Sequence, residues 1–307
     1  MEGAPYVLVH RRVDPMNANK FATGGAVLLL VTLGLIPIGA VSVAAVDVST
    51  CAGHSATIVG TAADDILVGT DSADVIVGLG GNDQIEPGLG DDVVCGGEGS
   101  DRISDSDGLD RLNGGAGDDI LFDQGGSSVL IGKGGNDQFF FDSTGRGAED
   151  TVFGGRGDDV LRMSEAACPD VLTFHGGLGR DFYGDDFGCG DVTFLGERGN
   201  DSTGSSGTHF GSVVLRGGPG DDVLRGGDER TILRGGTGRD RLFGDLTPEG
   251  SGGADLLRGG PGADSLHGMN GRDRLFGGTG IDENFGGHGS DLCRSPTRGP
   301  RAQSCER

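Results

Sequence analysis

From Gly60 onward the chain repeats itself every nine residues, and that period constrains its fold more than any other feature. The first units read GTAADDILV, GTDSADVIV, GLGGNDQIE, PGLGDDVVC, GGEGSDRIS, DSDGLDRLN, GGAGDDILF, DQGGSSVLI and GKGGNDQFF. A four-residue insertion, Phe141 to Thr144, precedes GRGAEDTVF and GGRGDDVLR. Looser units follow around GGLGRDFYG, DFGCGDVTF and GERGNDSTG. A second clean run, GGPGDDVLR, GGDERTILR and GGTGRDRLF, is separated by Gly244 to Glu249 from GSGGADLLR, GGPGADSLH, GMNGRDRLF, GGTGIDENF and GGHGSDLCR. One such unit cannot bury its own apolar face, so the units must stack.

Within each unit the positions divide by chemistry. Glycine at the first, second and fourth positions lets the backbone curl through positive φ and turn its carbonyls inward. Three residues then form a short strand whose middle member, the eighth position, is apolar: Leu67, Ile76, Ile85, Val94, Ile103, Leu112, Leu121, Leu130 and Phe139 in the first run. The second run continues with Leu224, Leu233, Leu242, Leu257, Leu266 and Leu275. Strand alternation points this residue inward and its neighbours outward. Glycine contributes 65 of 307 residues without a strict three-residue period, which excludes collagen and leaves a repeat architecture or disorder. The regular apolar eighth position counts against disorder. Net charge is −23, carried mostly by Asp; this excludes nucleic acid as a partner and favours cations.

The unit GGxGxDxUx, with U apolar, resembles the RTX family of haemolysin-type calcium-binding repeats, over residues 60 to 294. The sixth position, Asp in nearly every unit, supplies the candidate metal ligands: Asp65, Asp74, Asp83, Asp92, Asp101, Asp110, Asp119, Asp137, Asp150 and Asp159, then Asp222, Asp240, Asp255, Asp264, Asp273, Asp282 and Asp291. Ca²⁺ is a hard cation that takes six to eight oxygens from carboxylates and carbonyls. The resemblance implies an all-β, right-handed parallel β-roll in which two units make one coil of eighteen residues and multiple Ca²⁺ lie between equivalent turns of successive coils. On that scheme Asp65 pairs with Asp83, Asp74 with Asp92, and Asp83 with Asp101. Some units depart from the pattern. Ser128 and Thr231 replace the sixth-position Asp, and Asp123-Gln124 replaces the leading glycine pair. Little register survives from Met163 to Arg216, where poor or absent ion sites and irregular coils are expected.

The N-terminus reads as a targeting segment. Lys20 precedes an apolar stretch from Ala26 to Val46 that is broken by Pro37 and Gly39 and followed by Val43-Ala44-Ala45. This predicts a signal peptide over 1–45, with translation starting at Met1 or Met16, and no membrane span after cleavage. The expected organisation continues with a cap over 46–59, repeat block 1 over 60–162, irregular degenerate repeats over 163–216, repeat block 2 over 217–294 and a tail over 295–307. Export to an oxidising compartment makes three disulfides reasonable for six cysteines. Fifteen pairings exist. The sequential one, Cys51–Cys95, Cys168–Cys189 and Cys293–Cys305, would staple both ends and the middle of an elongated object.

No HExxH or GxSxG motif occurs, and the stretch before Gly60 is too short for a catalytic domain. His175 and His209 share the loose middle with Asp181 and Asp185; a lone His among carboxylates is more often a solvated loop residue. The expectation is a secreted, non-enzymatic calcium-binding module that folds as Ca²⁺ binds. Two further classes are an adhesive surface protein in contact with cell surface or polysaccharide, and a polysaccharide-acting β-helix enzyme.

Overall fold

The computed structural model describes residues 49–141, 148–164, 169–185, 190–205, 211–245, 252–294, 302–303 and 305. Every regular element among them is a strand. Two parallel sheets of 13 strands each face one another. Sheet 1 runs from Ile58–Val59 to Leu292–Arg294, and sheet 2 from Ile66–Val68 to Ala302–Gln303. The chain alternates between them, so each strand pairs with the strand one coil away: Ile76 with Val94, Leu121 with Phe139, Leu257 with Leu275. This is the parallel β-roll that the repeat implied.

The architecture follows from the side-chain period. Every eighth-position residue named above is buried in the narrow space between the sheets, and in the middle coils a second apolar residue of the same strand joins it: Phe141, Met163, Leu172, Val192 and Val213. Coils with no side chain free to leave that column gain nothing by slipping, because a one-residue shift would turn the apolar column outward. Where the sequence is least repetitive the column becomes aromatic. Phe139, Phe174, Phe194 and Tyr183 pack ring against ring, with centroids 5.5 to 6.3 Å apart.

Two edges join the sheets. At edge A the chain passes from sheet 1 to sheet 2 and at edge B it returns. From Gly80–Gln84 to Thr279–Glu283, edge A always uses three residues between strands. All the extra length lies at edge B: the segments 142–147, 165–168, 186–189, 206–210 and 246–251 each separate a sheet 2 strand from the next sheet 1 strand. Strand register is kept across these segments.

This corrects the expectation for 163–216. Strands Val171–Leu178 and Asp191–Arg198 continue sheet 1 in register from Glu149–Arg156, and Phe182–Asp185 and Ser202–Ser205 continue sheet 2. The described coils there are as regular as their neighbours. At the N-terminus a hairpin of Thr50–Cys51 with His54–Ser55 is tied to the roll by the Cys51–Cys95 disulfide, and Cys293–Cys305 ties the other end. Cys168 and Cys189 lie outside the described residues, as does the apolar stretch Ala26 to Val46. Among the described residues no helix is long and apolar enough to cross a membrane.

Candidate metal sites along the two edges

The sixth-position aspartates form one column at each edge. At edge A the backbone N–H of each donates to Oδ1 of the next: Asp65 to Asp83, then Asp101, Asp119, Asp137, Asp159, Asp181, Asp201, Asp222, Asp240, Asp264 and Asp282, at 2.8 to 3.3 Å. The column is unbroken. It includes Asp181 and Asp201, which the reading by nines had dismissed with the irregular middle. Both stand in units, GGLGRDFYG and GERGNDSTG, that keep the motif; the units alternating with them fail. Reading every second unit as one edge would have found them.

Edge B is interrupted. Asp74, Asp92 and Asp110 stack, Ser128 takes the next place, and its N–H donates to Asp150 Oδ1 at 2.9 Å. Leu172, Val192 and Val213 then stand where aspartate would be, since Asp150 is in register with Leu172, Leu172 with Val192, and Val192 with Val213. Thr231 follows, and Asp255, Asp273 and Asp291 resume the column. In the middle the aspartate column is therefore lost at edge B and kept at edge A.

From the second coil on, each carboxylate uses one oxygen for the ladder, and the fate of the second separates the seventeen candidates. Oδ2 of Asp83, Asp92, Asp101, Asp110, Asp119, Asp137, Asp150, Asp159, Asp222, Asp240, Asp255, Asp264, Asp273, Asp282 and Asp291 is buried without a hydrogen-bond partner, as is that of Asp181 and Asp201. Asp65 and Asp74, in the first coil, differ. Thr61 Oγ1 donates to Asp65 Oδ2 at 2.7 Å and Thr70 Oγ1 to Asp74 Oδ2 at 2.8 Å. Threonine at the second motif position thus satisfies the end of each column with a hydroxyl.

The glycines explain why the orphaned oxygen is where it is. A Cβ on Gly96 would come 2.6 Å from Gly114 O of the next coil and would run into Asp101 Oδ2. The same two kinds of oxygen, a carboxylate and a carbonyl from the coil above, converge on Gly78, Gly154 and Gly259. Glycine at the first position leaves a cradle lined with oxygen. Such a space suits a hard cation and no apolar group. Buried carboxylates need a partner of opposite charge or a metal, yet the one ion pair among the described residues, His175 with Glu197 at 3.1 Å, is on the outer face.

Burial pushes the carboxyls of Asp83, Asp92, Asp119, Asp159, Asp255 and Asp273 up from 3.8, and the ladder N–H only partly opposes it while neighbouring aspartates add to the rise. Asp83, Asp92 and Asp137 reach about 6, Asp273 about 7, and Asp119, Asp159 and Asp255 about 8. Asp105 and Asp123, at the first motif position of edge B in place of glycine, are also buried and raised, by burial first. The Asp110 carboxylate adds to the shift of Asp105, and Asp150 to that of Asp123. Neither stands at the motif's ligand position. The only sign in the sequence was the missing glycine.

Residues 59–94, 96–122, 119–143, 144–162, 210–233, 226–246 and 249–283 match the model of the RTX calcium-binding nonapeptide repeat. The matches cover more than half of the chain. The chain belongs to the RTX calcium-binding repeat family. A comparison with the curated proteins found no match. The repeat family accounts for the oxygen-lined cradles: the RTX roll is a calcium-binding scaffold, and the sixth-position columns are its acidic edges. Of the two histidines weighed for catalysis, His175 is on the outer face of sheet 1, its ring stacked on Phe153 at 4.8 Å. Its supposed neighbour Asp181 belongs to the edge A column. His209 and the Asp185 side chain lie outside the described residues.

Proposed function

We propose that this RTX protein is exported unfolded or partly folded and completes its β-roll outside the cell as Ca²⁺ enters the cradles of both edges. The observation that carries the reading is the row of buried, unpartnered Oδ2 atoms, with a carbonyl of the next coil converging on the same glycine at Gly78, Gly96, Gly132, Gly154, Gly259 and Gly268. A bound Ca²⁺ supplies two positive charges and six to eight coordination positions. The chain supplies the rest. From Asp83 and Asp92 onward, each Asp holds its carboxylate in place by accepting the N–H of the preceding coil, and each first-position glycine keeps the cradle open. Without a cation, stacked carboxylates repel: two of them about 4 Å apart cost roughly 4 kcal/mol at an effective dielectric near 20.

On this reading the ligands are fifteen of the seventeen sixth-position aspartates expected from sequence, together with Asp181 and Asp201. Asp65 and Asp74 close the columns through Thr61 and Thr70 and contribute least. The signal peptide over 1–45 and secretion rest on the N-terminal sequence and on the high extracellular calcium that millimolar sites require. The test is a calcium titration of the chelator-stripped chain followed by far-UV circular dichroism and calorimetry. A disordered spectrum that becomes β on reaching about 10⁻⁴–10⁻³ M Ca²⁺ is expected. An identical β-spectrum with chelator and with calcium would sink the coupling between binding and folding.

A further inference from the structure

The first-position column of edge B departs from glycine where that of edge A does not. Edge A has Gly78, Gly96, Gly114 and Gly132 through the first block; edge B has Pro87, Asp105, Asp123 and Phe141. We propose that Asp105 turns the edge B cradle beside Asp92 and Asp110 into a three-carboxylate cation site, which takes a divalent cation more tightly than any other point on the roll. The proposal rests on the calcium reading above and goes beyond it. The motif's own ligands are sixth-position aspartates and carbonyls, whereas Asp105 places a side-chain carboxylate where the motif has no side chain.

Carboxylate oxygens of Asp92, Asp105 and Asp110 all lie within 4.8 Å of one another, and no other trio of His, Cys, Asp or Glu among the described residues comes as close. Asp105 is only 1% exposed. Both of its carboxylate oxygens are buried without a hydrogen-bond partner, as are Oδ2 of Asp92 and Asp110. The Oδ1 atoms of Asp92 and Asp110 are already engaged by the N–H groups of Asp74 and Asp92. The Asp105 backbone is fixed by its N–H donating to Phe122 O at 3.0 Å, so the side chain cannot be relieved by moving the turn alone. The Ser106 N–H is close enough to oppose the rise in the Asp105 pKa and the Asp110 carboxyl close enough to add to it, yet neither makes a well-formed hydrogen bond to either Asp105 oxygen. Oxygen-only donors carrying three formal charges suit a hard cation, and affinity at such sites rises with the number of charged ligands.

The test is a calorimetric Ca²⁺ titration of the chelator-stripped full chain, of Asp105→Gly, which restores the motif residue, and of Asp105→Asn, which keeps the shape without the charge. Glu98→Gln, an exposed acid, is the control. The unsubstituted chain and the control should show a first binding event about ten-fold tighter than the remainder. Both Asp105 variants should lose that event while reaching the same β-signal at saturating calcium. Retention of the tight event in Asp105→Asn or in a folded Asp105→Gly would overturn the three-carboxylate site and leave the calcium reading standing. Absence of any calcium binding by the unsubstituted chain would overturn both.

Discussion

The two edges of the roll are built from the same nonapeptide, yet one is invariant and the other is not. Edge A keeps three-residue turns, a glycine column and twelve stacked aspartates from Asp65 to Asp282. Edge B takes every insertion, loses aspartate at Ser128, Leu172, Val192, Val213 and Thr231, and admits Pro87, Asp105 and Phe141 to its glycine column. One edge is enough to set the pitch. Coil length at edge A is 18 residues in the clean blocks and 20 to 24 where edge B is enlarged, while the ladder distances scarcely change. A solenoid that fixes its register on one side can vary the other freely.

The middle coils compensate for the missing edge B carboxylates with aromatic packing. The four largest fully buried side chains, Phe139, Phe141, Phe174 and Phe194, fall in or next to the coils where edge B begins to lose its aspartates. On the calcium reading, the roll should depend there more on apolar burial than on cations. The largest effect expected of a single substitution follows from this. Phe194→Ala removes a ring packed between Phe174 and Tyr183 and should cost about 3–5 kcal/mol. Thermal unfolding in saturating calcium would measure it. Extra calcium should not rescue this variant, whereas it should rescue a weakened carboxylate such as Asp119→Asn. Full rescue of Phe194→Ala by calcium would erase the distinction between the two kinds of coil.

Much of this was legible in the sequence, and the exceptions have one cause. The nine-residue period gave the strands, the buried eighth position and the stacking of Asp65 on Asp83 and Asp74 on Asp92, all of which the fold contains. Two disulfides, Cys51–Cys95 and Cys293–Cys305, followed from stapling the ends. Counting by nines failed from Met163 to Arg216, because insertions confined to one turn shift the count without shifting strand pairing. Asp181 and Asp201 disappeared behind that shift. Asp105 and Asp123 were hidden differently: a lost glycine reads as a damaged unit until the fold shows a buried carboxylate filling its cradle.

The edges should also respond differently to pH when calcium is withheld. Carboxyls raised from 3.8 to about 6–8 hold protons in the stacked state that the unfolded chain has released. Their contribution is therefore fully present below the unfolded value and is lost as pH rises through about 6 to 8. In chelator, β-signal should grow as pH falls from about 8 to 5. In saturating calcium it should not, because the bound ion needs deprotonated ligands and protons compete with it. Hydrogen exchange read residue by residue sharpens the comparison: in the middle coils, protection gained at low pH should be greater beside Asp181 and Asp201 than beside Leu172 and Val192. Equal gains on both edges would mean that the carboxylates do not govern the metal-free state.

The smallest expected effect concerns the second motif position, where both edges share one constraint. Glycine there adopts positive φ, 125° at Gly115 and 127° at Gly236. Four units carry another residue in the same left-handed turn: Leu79 at 80°, Lys133 at 78° and Glu197 at 72° on edge A, and Met269 at 75° on edge B. An L-residue held in that region costs about 1–2 kcal/mol. Replacing it by glycine removes the strain but gives the unfolded chain more freedom, an opposing effect of about 0.4–1 kcal/mol. Lys133→Gly should therefore stabilise the calcium-loaded roll by no more than about 1 kcal/mol, seen as a small rise in thermal midpoint. Met269→Gly should give a similar gain if the turn backbone is equivalent at the two edges. A gain at Lys133 with a loss at Met269 would show that edge B relaxes its turns by a route the regular edge does not have.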